Sequence, residues 1–298
     1  MNNRSFALTA VAMAVLLMAS LVPVHVVAQG GRARVEPIDP NFTPPRTPWG
    51  DPDLRGAWGQ RNNITTYSLQ AGADDRAEHT RIGGQATAMG KPIVDPPDGK
   101  VPYVPWADEH AKFLLDQHRH PAKPQWLDPV TRGFLEGVPR INLQGGFEIQ
   151  QYPGYVVFLF DYGHTYRVVP VDGRPHPSAN VKTWMGDSRG HWEGKSLVID
   201  VTNLNDQTWM DIVGTFHSDA LRLTERWSFV GKDRIDYEVT IVDPVVYAKP
   251  WKMAWNMGRA QLDEHWENAV WEGNMLGGLP PEFWGAAKAA DYKELGYK

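Results

Sequence analysis

The sequence predicts a mainly β protein: one antiparallel sheet, strongly curled or closed into a lipocalin-like β-barrel, with a few peripheral helices. Three observations lead there. From Phe147 onward apolar and polar residues alternate with a period of two. Turn signals interrupt that alternation at Asp172-Gly173, Glu193-Gly194-Lys195 and Gly231-Lys232-Asp233-Arg234. The chain also carries 13 Trp in 298 residues, and so many indoles require a core, a pocket or an interface to cover them.

The N-terminus is read as an export signal. Arg4 supplies positive charge, residues 7–22 are apolar, and Val26-Val27-Ala28 before Gln29 offers small residues at a cleavage point. Residues 1–28 are therefore expected to be a signal peptide, which predicts a periplasmic or secreted protein with no membrane anchor after processing. The chain has no Cys, which excludes a disulfide, a thiolate metal site, a Cys nucleophile and a lipidated Cys. Loss of residues 1–28 removes one positive charge, Arg4, from 30 Lys and Arg. The 35 Asp and Glu remain, leaving a net charge of −6. That balance argues against nucleic acid or an anionic membrane as partner.

Residues 29–53 contain Pro37, Pro40, Pro44, Pro45, Pro48 and Pro52 without a period, the composition of an extended linker. A single barrel-like domain is expected over 54–298, opening at Leu54-Arg55-Gly56-Ala57-Trp58. Residues 71–100, rich in Gly, Asp and Pro, read as a long loop. Helical spacing recurs over 106–117, where Ala107, His110 and Leu114 accompany Trp106 and Phe113. Prolines break up 121–139. Strands are expected over 155–169, 196–202, 221–230, 235–242 and 249–257, and a C-terminal helical tail over 281–295.

Strand parity locates the interior. Phe158, Phe160, Tyr162, His164 and Tyr166 share one face of a strand read as continuous. So do Leu221, Leu223, Glu225, Trp227 and Phe229, then Ile235, Tyr237, Val239 and Ile241, then Trp251, Met253, Trp255 and Met257. Two ionisable groups, Glu225 and His164, ride on these stripes. A carboxylate between Leu223 and Trp227 must either find a partner or take a raised pKa, the second being what a general acid or base requires. If Glu225 pairs with a buried Arg, Tyr or His, it only pins the barrel. His164 is open to the equally plain reading of a satisfied core histidine.

The stretch 183–200 divides into a hairpin carrying His191 and Trp192 and a preceding loop, 183–189, that fits a ligand rim containing Trp184. Asp187, Ser188 and His191 do not form a nucleophile elbow. His217 and Asp219, with His191, are candidates for an acid/base cluster at one barrel end, although Asp219 and Ser218 also suit turn capping. His118-Arg119-His120 lacks a third ligand at recognisable spacing, so no metal is expected. No phosphate-binding loop or dinucleotide fingerprint is present, and no cofactor is expected.

These residues resemble a large group of secreted bacterial proteins of largely unassigned function. The likeness is carried by Pro52-Asp53-Leu54-Arg55-Gly56-Ala57-Trp58, Thr183-Trp184-Met185-Gly186 and Gly190-His191-Trp192-Glu193-Gly194. It continues through His217-Ser218-Asp219 to Glu225-Arg226, then residues 236–244 and Lys249-Pro250-Trp251. Gly56-Ala57-Trp58 is also similar to the first strand of lipocalin-like (calycin) barrels. The resemblance implies a barrel with an apolar interior and adds no catalytic residue.

The function expected is an exported, cofactor-independent enzyme doing acid/base chemistry of isomerase or lyase type on a hydrophobic or aromatic small molecule. Glu225 or His164 would be the base, and His191 or His217, with Asp219, the acid. Trp184, Trp192, Tyr162, Tyr166, Trp227, Trp251 and Trp255 would line the substrate site. The alternatives are a non-catalytic periplasmic carrier of an apolar ligand, with Glu225 structural, and a metal enzyme built on His118, His120 and other histidines.

Overall fold

The computed structural model describes residues 38–39, 41–60, 68–70, 92–117, 121–143 and 145–260. The expected signal peptide, His118 and His120, residues 71–91 and the C-terminal helical tail lie outside them.

Among the described residues ten strands form: β1 (Gly56–Gln60), β2 (Ile93–Asp95), β3 (Gly146–Tyr152), β4 (Tyr155–Phe160), β5 (Tyr166–Pro170), β6 (Asp187–Glu193), β7 (Ser196–Thr202), β8 (Arg222–Gly231), β9 (Arg234–Val242) and β10 (Trp251–Arg259). One helix, α1 (Pro105–Gln117), and two short 3-10 turns, Pro124–Trp126 and Arg140–Asn142, accompany them among the described residues. The path β5-β4-β3-β1-β10-β9-β8-β7-β6 is one antiparallel sheet, with β2 added against β10. It curls until β5 and β6, the two ends of the path, meet, so the barrel is nearly closed.

Side chains rather than a backbone ladder close that seam. Arg167 Nε on β5 donates to Ser188 Oγ on β6 at 2.8 Å. One inward position further along β6, a Cβ built on Gly190 would sit 2.9 Å from Val169 Cγ1 and 3.0 Å from Val171 Cγ1. Glycine there lets the edge of β5 lie against β6.

The inward stripes of β8, β9 and β10 are as strand parity predicts. Leu223, Glu225, Trp227 and Phe229, Ile235 to Ile241 in alternation, and Trp251 to Met257 in alternation are all buried. The register places Trp227 beside Tyr237 and Tyr237 beside Trp255, an inward ladder of three aromatics across adjacent strands. Their ring centroids lie 4.8 and 4.2 Å apart.

Residues 155–169 are not one strand, which corrects the inward placement of His164 and Tyr166. A turn over 161–165 folds β5 back on β4, with Gly163 and His164 at φ 68 and 47. Cross-strand partners share a face, and Phe158 is paired with Arg167. Arg167 therefore points inward, while Tyr166 is 66% exposed and His164 stands on the exposed turn.

Both barrel ends are covered. At the end bearing the β6–β7 and β8–β9 turns, Phe42 packs edge-on against Phe229 at 5.2 Å, and Asp39 N donates to Val230 O at 3.1 Å. Residues 41–53, which read as linker, thus lie against the barrel. At the other end the segment 128–143 plugs the opening. Arg140 forms a bidentate pair with Asp128 at 2.8 Å to each oxygen and donates to the Trp209 and Asp211 carbonyls in the β7–β8 loop. α1 packs on that loop at Gly214, whose φ of 100° and 2.5 Å clearance to Leu114 Cβ both require glycine.

Candidate functional site

The inward carboxylate is the centre of a four-residue network. Glu225, fully buried on β8, accepts from Asn142 Nδ2 at 2.8 Å and from Tyr237 Oη at 2.8 Å, and is ion-paired with Arg167 through Nη2. Each partner comes from a different part of the fold: Arg167 from the closing strand, Asn142 from the plug, Tyr237 from the adjacent strand. Asn142 Nδ2 also reaches Tyr237 Oη at 3.2 Å, and the Arg167 guanidinium lies 5.8 Å from the Phe158 ring centroid. Burial, followed by the Glu225 charge, holds the Tyr237 phenol well above its ordinary value, so Tyr237 stays a donor.

The network leaves some polar atoms unused. Arg167 Nη1, Asn142 Oδ1, Trp227 Nε1 and Trp255 Nε1 are buried and find no hydrogen-bond partner among the described residues. Trp58, by contrast, donates Nε1 to Leu54 O at 2.8 Å. All four belong to side chains that either bond Glu225 or pack on Tyr237, and Trp192 Nε1 and Trp251 Nε1 are left without a partner in the same way.

The structure brings Glu225, Trp227 and Trp255 together. Trp251 is inward too, but lies two inward positions along β10, packed against Tyr247 at 5.4 Å. Trp192 is half-buried against the core, and Tyr162 sits in the β4–β5 turn. Trp184 stacks on Phe134 at 5.1 Å, on the rim beside the plug segment.

His191, His217 and Asp219 do not form a cluster. His191 points outward near the β6–β7 turn, 3.1 Å from Glu193 Oε1. His217 lies in the loop joining β7 to β8 at the other end, more than five strand residues or roughly 17 Å away. Its Nε2 bonds Thr208 Oγ1 at 2.7 Å and its Nδ1 bonds Ser218 O at 2.8 Å, so both ring nitrogens are engaged. Burial lowers its pKa, keeping the ring neutral. Asp219 is exposed and meets Lys182 at 3.5 Å.

Sequence reasoning missed Arg167, Asn142, Glu136 and His176. Arg167 was hidden by the false continuity of β4 and β5. Glu136, in the plug, is buried with neither carboxyl oxygen hydrogen-bonded among the described residues, and Arg140 Nε stands 3.9 Å away. Burial pushes its carboxyl up to about 8, against the pull of Arg140. His176 is held through Nδ1 by Asp187 Oδ2 at 2.5 Å, while Asp187 Oδ1 pairs with Arg189 at 2.8 Å. Parity places this pair on the outer face of β6, opposite to inward Ser188.

Among the described residues, no group of three or more His, Asp or Glu is arranged to hold a metal, and no helix is long and apolar enough to cross a membrane. No family model, curated protein or solved structure matches the chain.

Proposed function

We propose that the barrel is a binding module for an apolar small molecule, working in the periplasm or outside the cell, and that Glu225 fastens the barrel together instead of moving protons. The observation that carries this reading is the crowding of Glu225. Its two oxygens already accept from Arg167, Asn142 and Tyr237, and the side chain is fully buried, whereas a general base must stand within reach of a substrate proton. A ligand taken up inside the barrel would have to part the aromatic inner face, where Phe147, Phe158, Trp227, Tyr237 and Trp255 are buried in mutual contact. Sites of this kind are mostly apolar with a few polar groups fixing orientation.

Native mass spectrometry of the protein purified from its own host tests the reading. A co-purifying organic mass that disappears in Trp255→Ala is the expected result. A clean chain mass, with no heat released on titrating apolar probes such as diphenylmethane, overturns it. So does a Glu225→Gln variant that keeps its stability but loses a turnover the parent protein has.

One observation favours an enzyme instead. Asp187 fixes the Nδ1 side of His176, leaving Nε2 without a hydrogen bond among the described residues, the orientation a general base requires. Loss of turnover in His176→Gln at unchanged melting temperature would move the chemistry to the outer face of β6.

A further inference from the structure

Outside the barrel interior, we infer that a cleft beside α1 binds a small organic anion, a carboxylate carried on a short apolar or aromatic body. Four segments meet there: residues 68–70, residues 100–103, one side of α1, and the β7–β8 loop at Val213, Gly214 and Thr215. They border a space of about 450 Å³, within the range that small-molecule sites occupy. None of the lining residues lies on a strand, so the inference stands apart from the carrier reading.

The cleft is held open by its own hydrogen bonds. Asp211, fully buried, accepts from Leu69 N at 3.0 Å, Thr215 N at 2.8 Å and Thr215 Oγ1 at 2.6 Å. Gln70 Oε1 accepts from Val101 N at 3.2 Å, so segment 68–70 is tied to both of its neighbours. α1 is seated by the close approach of Gly214 to Leu114. A site formed in advance in this way avoids much of the ordering cost of binding.

The lining selects the ligand. Ala111, Leu115 and Val213 offer an apolar wall to a ring or an alkyl chain. Of the two lysines on the rim, Lys112 is taken by Asp108 at 2.6 Å. Lys100 donates its backbone N–H to Asp98, but its ammonium makes no ion pair among the described residues. The lining thus carries one positive charge in excess. Burial, followed by the Asp211 charge, holds the Tyr103 phenol well above its ordinary value, so Tyr103 adds a neutral O–H donor. An ammonium ligand would face both lysines and find only the Asp108 carboxylate, which Lys112 already holds. Asp211 does not compete, because it is off the lining and its oxygens are covered by three donors.

NMR titration of the purified protein with phenylbutyrate, phenylbutanol and phenylbutylammonium, three probes with one body, tests this. Phenylbutyrate is expected to bind roughly two- to fivefold tighter than the alcohol at low salt, the value of one exposed ion pair, with the ammonium weakest. Added salt should shrink that advantage. Lys100→Gln, a change at the exposed rim, should bring acid and alcohol to equal affinity and leave the alcohol unchanged. Ala111→Phe, which fills the cleft from α1, should remove binding of all three at an unchanged melting temperature. Equal binding of acid and alcohol by the parent protein overturns the inference, as does tighter binding of the ammonium or binding of none of the three. An acid preference that survives Lys100→Gln, or phenylbutyrate binding that survives Ala111→Phe, also overturns it, because the anion is then held elsewhere.

Discussion

Arg167 on β5 and Glu225 on β8 form an ion pair across the barrel interior, with side chains only 2% and 0% exposed. The two strands are not neighbours in the sheet: β6 and β7 lie between them on one side of the seam. The pair therefore works as a cross-tie, and Arg167 extends it by donating Nε to Ser188 on β6. Because Glu225 also holds Asn142, the same carboxylate couples the closing strand to the plug.

A buried pair contributes little over an apolar substitute, yet removal of one partner strands the other. Arg167→Met is expected to destabilise by about 3–5 kcal/mol in urea unfolding, and Glu225→Gln by a similar amount. The double variant Arg167→Met/Glu225→Leu should recover at least half of that loss. If the single and double losses simply add, the two groups are not coupled and the cross-tie is wrong.

The seam yields a second expectation. Gly190 has no room for a methyl group, because the methyls of Val169 and Val171 stand 2.9 and 3.0 Å from where its Cβ would be. Gly190→Ala should cost about 1–3 kcal/mol through overpacking. Val169→Ala, destabilising alone, should offset part of that cost when combined with it. A Gly190→Ala protein as stable as the parent would mean β5 and β6 do not approach as described.

How far the sequence alone reached depends on where its period survives. β8 and β9 are joined by a two-residue turn, so alternation runs cleanly on both sides and Glu225 is legible as an inward carboxylate. Its partner Arg167 is not. The turn 161–165 carries Tyr162, which continues the aromatic alternation of Phe158 and Phe160 through a reversal of the chain. The one signal available was Gly163, next to a His forced to positive φ. Asn142 and Glu136 lie between prolines in a segment with no period, and only the tertiary fold carries the 3-10 turn at 140–142 to the barrel. His176 and Asp187 are 11 residues apart with a loop between them, a separation that no periodicity argument reaches.

His217 predicts an acid limb. Burial holds its imidazole below the ordinary 6.5, so on acidification the unfolded chain takes up the proton first and stability falls as pH drops below that value. His217→Gln should lose about 1–2 kcal/mol at pH 7 through the bonds to Thr208 and Ser218. The gap between parent and variant should then shrink as pH falls from 7 to 5. A gap that stays constant across that range would show that His217 titrates normally.

Glu136 predicts the opposite limb. Its carboxyl is raised by burial to about 8 in the folded protein, whereas the unfolded chain titrates near 4.5. Between those values the folded state keeps a proton that the unfolded state has released. Its contribution is thus fully present below pH 4.5 and is lost as pH rises towards 8, by up to about 1.4 kcal/mol per pH unit where a single proton is linked. Arg140 limits the loss without removing it, because its guanidinium is committed to Asp128 and its Nε stands 3.9 Å from the Glu136 oxygen. Glu136→Gln keeps the shape and removes the titration. Its stability relative to the parent, followed by urea unfolding from pH 5 to 9, should rise steadily with pH and level off above about 8. A difference independent of pH would mean that Glu136 is ionised throughout, with Arg140 as its partner.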